Sequence, residues 1–264
     1  MTFIDGNLFK TIAGNIYDEH GYWKNSNINS NIFFIKTDWI EDFISNHAPN
    51  YPHKIITHNS DHPIADKYID YINNSNLSSW FASEISIKHE KLKYIPIGIP
   101  NERVMHHSGQ IDHYHLGSRK IFEDIYNKNT YKSKLLSTPA FDINTNPNRK
   151  LCENICRKMG HENTRLTYTD YLSDIKNSMF CISPQGNGMI SHRIWECMYL
   201  KCIPITTRLS SFTSYEGFPI IIINTWEDLL DISLNEEIYR KYIDEFDRNN
   251  LDGIRLLNNI IYEN

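Results

Sequence analysis

The residues best suited to chemistry lie in one stretch, residues 180–196, which reads FCISPQGNGMISHRIWE. A buried strand is predicted to end at Ile182 and to open into a loop that contains Gly186 and Gly188. Ser191 is the predicted N-cap of the helix that follows. Glycines let the backbone approach an anion closely, and a helix N-terminus favours negative charge. The stretch therefore predicts a phosphate-binding loop.

Three side chains at the start of this helix extend the predicted site. Arg193 lies in the first turn, where its guanidinium can form a bidentate bond to a phosphate. The helical spacing places His192, Arg193 and Glu196 on one face, and a carboxylate there suits the two hydroxyls of a ribose. Together with the loop they predict a site for a sugar nucleotide. The alternatives are a plain turn at the two glycines and a surface pair formed by His192 and Glu196.

The elements that must position this loop follow the pattern of an α/β protein. Short apolar runs predict strands at 32–35, 54–57, 80–82, 94–97, 134–136, 165–168, 179–182, 203–205 and 219–223. Helices are predicted at 39–44, 147–158, after Thr169, at 191–200, at 226–230 and within 235–262. Strands that alternate with helices in this way predict parallel sheets with helices on both faces. The polar first thirty residues are predicted to form a loose or edge element.

A break in this pattern predicts two domains. Residues 98–101 read GIPN. The polar, histidine-rich stretch that follows shows neither the apolar spacing of a strand nor that of a helix. We therefore predict an N-terminal domain at 1–100 and a C-terminal domain at 101–264, with final helices that could pack back on the first domain.

Composition excludes several classes of protein. The net charge is -5 and the lysines and arginines are scattered, so nucleic acid is not an expected partner. No signal-like N-terminus and no apolar run of about 18 residues occur, so we expect neither secretion nor a membrane span, and a cytoplasmic location. The five cysteines form no C-x-x-C pair, which argues against a disulfide framework or a zinc knuckle.

Four segments carry a resemblance to a known family. Residues 183–188, 192–196, 202–205 and 215–219 resemble the donor-binding half of exostosin-like glycosyltransferases. The resemblance is strongest from about 134 to 230 and extends to 32–101, where the segments are similar to related bacterial and viral sequences. It implies a GT-B fold, in which two Rossmann-like domains with parallel sheets face a central cleft and the C-terminal domain holds the nucleotide sugar.

The resemblance also implies an activity. The chain would transfer a sugar from a nucleoside diphosphate sugar, with a UDP-sugar favoured, to a glycan hydroxyl with inversion. Residues 144–149 would form a second phosphate-facing loop, and Tyr168 would meet the nucleobase; a plain helix cap at Asn146 and a core position for Tyr168 are the alternatives. The implied donor-binding residues are Arg149, Tyr168, Ser183, Pro184, Gly186, Asn187, Gly188, His192, Arg193 and Glu196.

Transfer to a sugar hydroxyl with inversion requires a general base on the acceptor side, which we expect at a strand end of the first domain. Asp61 is the first candidate and Asp38 the second, although each could instead cap a helix or close a turn. His58 and His62 are the candidate acceptor-binding residues.

The chain contains no D-x-D sequence, which is the usual anchor for Mg²⁺ or Mn²⁺ in single-domain glycosyltransferases. Arginines and helix N-termini would then stabilise the departing diphosphate, and no metal or cofactor is predicted. Four histidines, His106, His107, His113 and His115, could bind zinc or form a solvated loop. Two other functions compete: a non-catalytic nucleotide-sugar or carbohydrate-binding subunit of a glycan assembly, and an epimerase-like enzyme, which the missing G-x-G-x-x-G disfavours.

Overall fold

The computed structural model describes residues 1–26, 28–102, 118–207, 215 and 217–262. These residues divide into two compact units. The first unit takes residues 1–98 and 248–262, and the second takes the remaining described residues. In the part of the chain that the structure describes, no helix is both long and apolar enough to cross a lipid bilayer.

The first unit is built on a six-stranded sheet. Its strands are β1 (Asn15–Asp18), β2 (Gly21–Lys24), β3 (Ile32–Lys36), β4 (His53–His58), β5 (Leu77–Ala82) and β6 (Leu92–Tyr94). The strand order is β2-β1-β3-β4-β5-β6, and every pair is parallel except the β1–β2 hairpin. Its helices are α1 (Gly6–Lys10), α2 (Ile40–Asn46), α3 (Ile69–Ile72) and α9 (Gly253–Tyr262), with 3-10 turns at Thr37–Trp39, Asp66–Tyr68 and Arg248–Leu251.

Both faces of this sheet are covered, which explains why its strands are continuous apolar runs. Successive residues of a strand point to opposite faces. Phe33 belongs to the core cluster that includes residues of α2 and α3, whereas Phe34 belongs to the cluster that includes residues of α1 and α9. Parallel strands buried on two sides lose the polar alternation of a half-exposed strand. The strands predicted at 32–35, 54–57 and 80–82 are confirmed, and the strand predicted at 94–97 lies instead at Leu92–Tyr94.

The prediction that the first thirty residues are loose was wrong for most of the segment. Asp5 caps α1, because its Oδ1 accepts a hydrogen bond from the amide of Leu8 at 2.8 Å. Phe9 and Ile16 are then buried in the core of the unit. Widely spaced apolar residues among polar ones hid this short helix and strand. Only β2 is an exposed edge strand, as predicted for part of the segment.

The second unit is built on a four-stranded, fully parallel sheet in the order β10-β9-β8-β7. Its strands are β7 (Lys134–Ser137), β8 (Ser178–Ile182), β9 (Ile203–Thr207) and β10 (Ile221–Ile223). Its helices are α4 (Arg119–Asn127), α5 (Pro147–Lys158), α6 (Tyr168–Asn177), α7 (His192–Tyr199) and α8 (Glu236–Asp244), with a 3-10 turn at Trp226–Leu230. The predicted mixed α/β class with parallel strands is confirmed.

Capping residues fix where the helices of this unit begin. Asn146 and Ser191 each accept a hydrogen bond from the backbone amide two residues later, so the predicted starts of α5 and α7 are confirmed. The strand predicted at 165–168 was wrong. Thr167 is the N-cap of α6 and accepts a hydrogen bond from the amide of Asp170 at 3.2 Å, so the helix begins at Tyr168 and not after Thr169.

Candidate functional site

The loop between β8 and α7 lies at the carboxyl end of the parallel sheet of the second unit. The amide of Ser183 donates to the carbonyl of Ile205 at 2.9 Å, which continues the pairing of β8 with β9 by one residue before the chain leaves the sheet. Ser191 then caps α7. Ligands of open α/β sheets bind at this edge, so the predicted loop stands where a ligand site is expected.

The start of α5 is tied directly to this loop. Arg149 donates from Nε to the carbonyl of Gln185 at 2.5 Å. Asn146 donates from Nδ2 to the carbonyl of Gly186 at 3.3 Å. The two segments that the sequence analysis connects with phosphate are therefore neighbours, and one guanidinium links them.

Arg149 keeps hydrogen-bonding capacity. Apart from the bond to Gln185, its guanidinium donates from Nη1 to the carbonyl of Asp142 at 3.2 Å. A guanidinium carries five N–H groups, and no acceptor among the described residues takes either hydrogen of Nη2. The outer edge of this guanidinium can therefore form a forked bond to an oxyanion.

Arg193 is more constrained than predicted. Its guanidinium donates to the carbonyls of Pro139, Ala140 and Ile182 and to the hydroxyl of Tyr171, at 2.7–3.3 Å. These bonds use four of its five N–H groups. The predicted bidentate bond from Arg193 to a phosphate does not fit this arrangement, because the tip of the side chain is clamped by carbonyls. Arg193 can contribute its charge and a single N–H.

Both guanidinium groups lie over the ring of Phe141. The Cζ atoms of Arg149 and Arg193 are 5.8 and 5.9 Å from its centroid. Burial, followed by the neighbouring charge of Arg193, lowers the pKa of Arg149 to about 10, so the group remains a cation at neutral pH. Within the described part of the chain, neither arginine has a carboxylate within ion-pair distance. The second unit thus holds two neighbouring guanidinium groups, and the nearest carboxylate to Arg193 on its Tyr171 side is Glu196, one hydroxyl away.

Backbone amides add to this positive region. In the described ranges, the amides of Gly186, Asn187 and Gly188 donate to no protein acceptor. An alanine Cβ at Gly186 would stand 3.7 Å from Nη2 of Arg149, which is ordinary contact distance, so the loop passes directly beside this nitrogen. The loop and the arginine together could accommodate phosphate oxygens.

Glu196 does not lie where the sequence analysis expected it. The residue is 1% exposed, and its two carboxylate oxygens accept hydrogen bonds from Tyr168 at 2.9 Å and from Tyr171 at 2.5 Å. Burial raises the pKa of Glu196, against the lowering effect of the two tyrosine hydroxyls and Arg193. A carboxylate held this way is not available to a ribose. The predicted ribose contact therefore conflicts with this arrangement.

Tyr168 and Ser183 also differ from expectation. Tyr168 is the first residue of α6 and is buried, so its hydroxyl contacts Glu196 and its ring is not free to stack on a nucleobase. Ser183 is fully buried, and its hydroxyl donates to the carbonyl of Cys181 at 3.3 Å. Pro184 is buried as well. Their predicted donor contacts conflict with this burial, whereas Asn187 is exposed and His192 is half-buried at the first residue of α7.

The candidate bases lie at strand ends of the first unit. Asp38 follows β3, and Asp61 and His62 follow β4 by a few residues; all three are exposed. Asp38 lies 3.7 Å from Nε2 of His62 and 3.6 Å from Nζ of Lys36. The structure therefore brings together Asp38 and His62, which the sequence analysis placed in separate roles.

His58 cannot contact an acceptor as placed. It is 1% exposed, Nδ1 lies 2.8 Å from Oδ1 of Asn59, and Nε2 lies 3.2 Å from the carbonyl of Pro96. Burial lowers the pKa of His58, against these two hydrogen bonds. The predicted acceptor contact of His58 conflicts with this burial, because the last four residues of β4 are all buried.

Sequence reasoning missed two residues of the candidate site. Phe141 provides the ring beneath both arginines, and Tyr171 connects Glu196 to Arg193. Only the spacing of Tyr168 and Tyr171 on one helical face could have indicated a paired role. The described residues contain no group of three or more histidine, cysteine, aspartate or glutamate side chains arranged to hold a metal ion, and His106, His107, His113 and His115 lie outside them.

Comparison with known proteins adds no assignment to this geometry. No protein-family model matches the chain. A search of the curated proteins finds no match either.

Proposed function

We propose that this protein is a glycosyltransferase that takes a sugar from a nucleoside diphosphate sugar and transfers it to a glycan hydroxyl. The observation that carries the proposal is the pair of guanidinium groups of Arg149 and Arg193 over Phe141, beside the free amides of the loop at 186–188. Two guanidinium groups over one ring, with no carboxylate within salt-bridge distance among the described residues, suit a diphosphate, which carries charge on two linked groups.

The two arginines have different roles in this proposal. Arg149 forms the forked bond to a phosphate through its outer nitrogens. Arg193 supplies charge and holds residues 139–140 against the end of β8 through its carbonyl bonds. The proposal includes inversion and the GT-B arrangement, which come from the resemblance, and catalysis without a metal, which comes from the missing D-x-D sequence. Asp61 or Asp38 is the general base.

A titration with UDP tests the binding step. We expect UDP to raise the melting temperature of the protein by mass action. Arg149→Ala should weaken UDP binding roughly tenfold or more, because it removes hydrogen bonds between charged groups. Arg157→Ala is the matched control, since Arg157 lies two turns later on α5 and pairs with Glu153 at 3.0 Å. Equal affinity in the Arg149→Ala and Arg157→Ala proteins would reject the site.

Turnover separates an enzyme from a binding subunit. The protein is incubated with a panel of nucleoside diphosphate sugars, and release of the diphosphate is followed with and without oligosaccharide. We expect release with one donor, and its loss in Asp61→Asn or Asp38→Asn with UDP affinity unchanged. Tight UDP binding with no release from any donor would instead identify a non-catalytic nucleotide-sugar-binding subunit.

A further inference from the structure

Asn187 and Gly188 form the single Asn-Gly sequence of the chain. They lie in the loop between β8 and α7, and Asn187 is exposed to solvent. An asparagine that precedes glycine is prone to deamidation, because glycine has no Cβ to shield its backbone nitrogen from the asparagine side chain. Whether a folded protein permits this reaction depends on the hydrogen bonds of the two residues.

Both reacting groups are without hydrogen bonds in the described part of the chain. The backbone amide of Gly188 donates to no acceptor there, and the side-chain amide of Asn187 neither donates nor accepts. Neither residue belongs to a helix or a strand. Gly188 is buried, but its nitrogen belongs to the peptide bond that it shares with the exposed Asn187. The loop can therefore bring the two groups together without losing a hydrogen bond.

Another pair in the chain shows the protected arrangement. An aspartate that precedes glycine can form the same cyclic imide, by loss of water. In Asp252-Gly253 the amide of Gly253 donates to the carbonyl of Thr2 at 2.8 Å, and Oδ1 of Asp252 accepts from the amide of Thr2 at 2.9 Å. Both reacting groups are held there, in contrast to those at Asn187.

We propose that Asn187 is a site of self-modification, at which the loop converts the side-chain amide to a carboxyl group without an enzyme. The backbone nitrogen of Gly188 attacks Cγ of Asn187, and a cyclic imide forms. The bond from Cγ to Nδ2 breaks, and the nitrogen leaves as ammonia with the proton of the Gly188 amide. Water then adds to either imide carbonyl and opens the ring to aspartate or isoaspartate. Water is the only co-reactant.

The product carries a negative charge in the proposed phosphate-binding loop. Arg149 donates to the carbonyl of Gln185 at 2.5 Å, and Asn146 donates to the carbonyl of Gly186 at 3.3 Å, so α5 contacts the two residues directly before Asn187. A carboxylate at this position repels phosphate oxygens. Isoaspartate also adds a carbon to the main chain, which displaces the amides of the loop. This consequence rests on the proposed function, whereas the deamidation itself does not.

A diphosphate in the loop should slow the reaction in turn. If its oxygens accept hydrogen bonds from the amides of residues 186–188, the attacking nitrogen of Gly188 is held away from Cγ of Asn187. The reaction then proceeds only in protein without ligand. That fraction is about a tenth when the UDP concentration is about ten times the dissociation constant.

The experiment incubates the intact protein at neutral pH and physiological temperature. Peptide mapping by liquid chromatography and mass spectrometry follows residues 187 and 252, and a synthetic peptide of residues 183–191 gives the rate without a fold. We expect Asn187 in the protein to react within about fivefold of the peptide rate, because a loop without hydrogen bonds at the reacting pair offers little protection. Isoaspartate should not accumulate at Asp252.

Gly188→Ala tests the attacking nitrogen. The added Cβ shields this nitrogen, so deamidation at Asn187 should slow roughly tenfold. Circular dichroism establishes that the fold of the variant is kept. A folded variant that deamidates at the wild-type rate would contradict the proposed attack.

UDP tests the link to the proposed function. At a UDP concentration about ten times the dissociation constant, the rate should fall about tenfold. At the same concentration Arg149→Ala should lose this protection and Arg157→Ala should keep it. Asn187→Asp, which has the shape of the original side chain and the charge of the product, should weaken UDP binding roughly tenfold or more.

Two results overturn the proposal: a reaction at Asn187 slower than the expected range, or isoaspartate that forms at Asp252 as fast as at residue 187. The second result would mean that unfolded protein is the source of the product. Deamidation in a protein that does not bind UDP would reject the proposed function and leave the modification site in place. UDP binding that does not slow deamidation would place the diphosphate away from residues 186–188, and UDP binding with no deamidation would reject the modification site alone.

Discussion

The carboxylate of Glu196 is enclosed by the protein, and its helical position alone does not explain why. The spacing of His192, Arg193 and Glu196 does place them on one side of a helix, as predicted. Spacing does not show which side faces the interior. In α7 every residue from Ile194 to Tyr199 is buried, so the carboxylate has no solvent-facing path. The apolar residues on both sides of Glu196 were the available signal.

Burial of Glu196 predicts a pH dependence of stability. Burial raises its pKa in the folded protein, so this group contributes stability that is fully present below its ordinary pKa and is lost as pH rises. Glu196→Gln removes that titration. The free energy of unfolding of Glu196→Gln, relative to wild type, should therefore increase as the pH rises above the ordinary pKa of a glutamate, about 4.5. Urea unfolding at several pH values measures it, and a constant difference across this pH range would contradict the assignment.

Tyr171 is predicted to position Arg193. Its hydroxyl donates to Glu196 and accepts from Nε of Arg193 at 3.3 Å. Tyr171→Phe removes this bridge and one of the four hydrogen bonds that hold the guanidinium of Arg193 in place. We expect UDP affinity to fall roughly fivefold, in line with the loss of one hydrogen bond to a charged group.

Tyr168→Phe provides the control for Tyr171→Phe. Tyr168 also donates to Glu196, at 2.9 Å, but it makes no hydrogen bond to Arg193. Both variants should lose stability, by about 1–3 kcal/mol each, because each removes a partner of a buried carboxylate. Only Tyr171→Phe should weaken UDP binding. If both variants bind UDP equally well, Tyr171 has a structural role alone.

At the scale of elements, the features that depend on neighbouring residues were predictable. Asn146 and Ser191 are caps because a side-chain oxygen accepts a hydrogen bond from the amide two residues later. This geometry depends only on a few consecutive residues, so the sequence indicates it. The apolar runs of β3, β4, β8 and β9 were equally clear, since strands buried on both faces need no alternation. The loop 183–191 was predictable because it joins two such elements, β8 and α7.

The segment 165–168 fits a strand or the start of a helix, and the cap that Thr167 forms with Asp170 is a local signal that the sequence analysis missed. Contacts between distant residues were not predictable. Lys132 is such a case, because its Nζ donates to the carbonyls of Lys176 at 2.9 Å and Leu200 at 3.1 Å. Lys176 lies at the end of α6 and Leu200 directly follows α7, and they are 44 and 68 residues further along the chain than Lys132. No local pattern indicates that contact.

At the scale of the whole molecule, the chain completes its first unit with its last helix. The amide of Gly253 donates to the carbonyl of Thr2 at 2.8 Å, and Lys54 donates to the carbonyl of Ile260 at 3.0 Å. A Cβ at Gly253 would lie 2.5 Å from a methyl of Leu8, so glycine allows the close approach of this helix to α1. The amphipathic pattern of 235–262 predicted helices that could pack back on the first domain, but the particular residues that α9 contacts follow only from the fold.

Because α9 packs on the first unit, we predict that removing its buried side chains destabilises that unit. Leu257 and Ile260 are buried in the cluster that covers one face of the first sheet. Replacing both by alanine leaves cavities that should cost about 4 kcal/mol or more of unfolding free energy. Ile261→Ala on the same helix is the control: Ile261 is 39% exposed, so its replacement should change stability by no more than about 0.5 kcal/mol.

Hydrogen exchange locates the effect of the Leu257→Ala, Ile260→Ala double variant. Amides of β3 and β4 should exchange faster than in wild type, because the face they cover has lost its packing. Amides of β8 should keep their wild-type rates, since β8 belongs to a separate core cluster built from Cys152, Phe180, Ile203 and their neighbours. Equal acceleration of amide exchange in β4 and β8 would mean that the two core clusters open together. It would contradict the prediction that the lost α9 packing acts on the first unit alone.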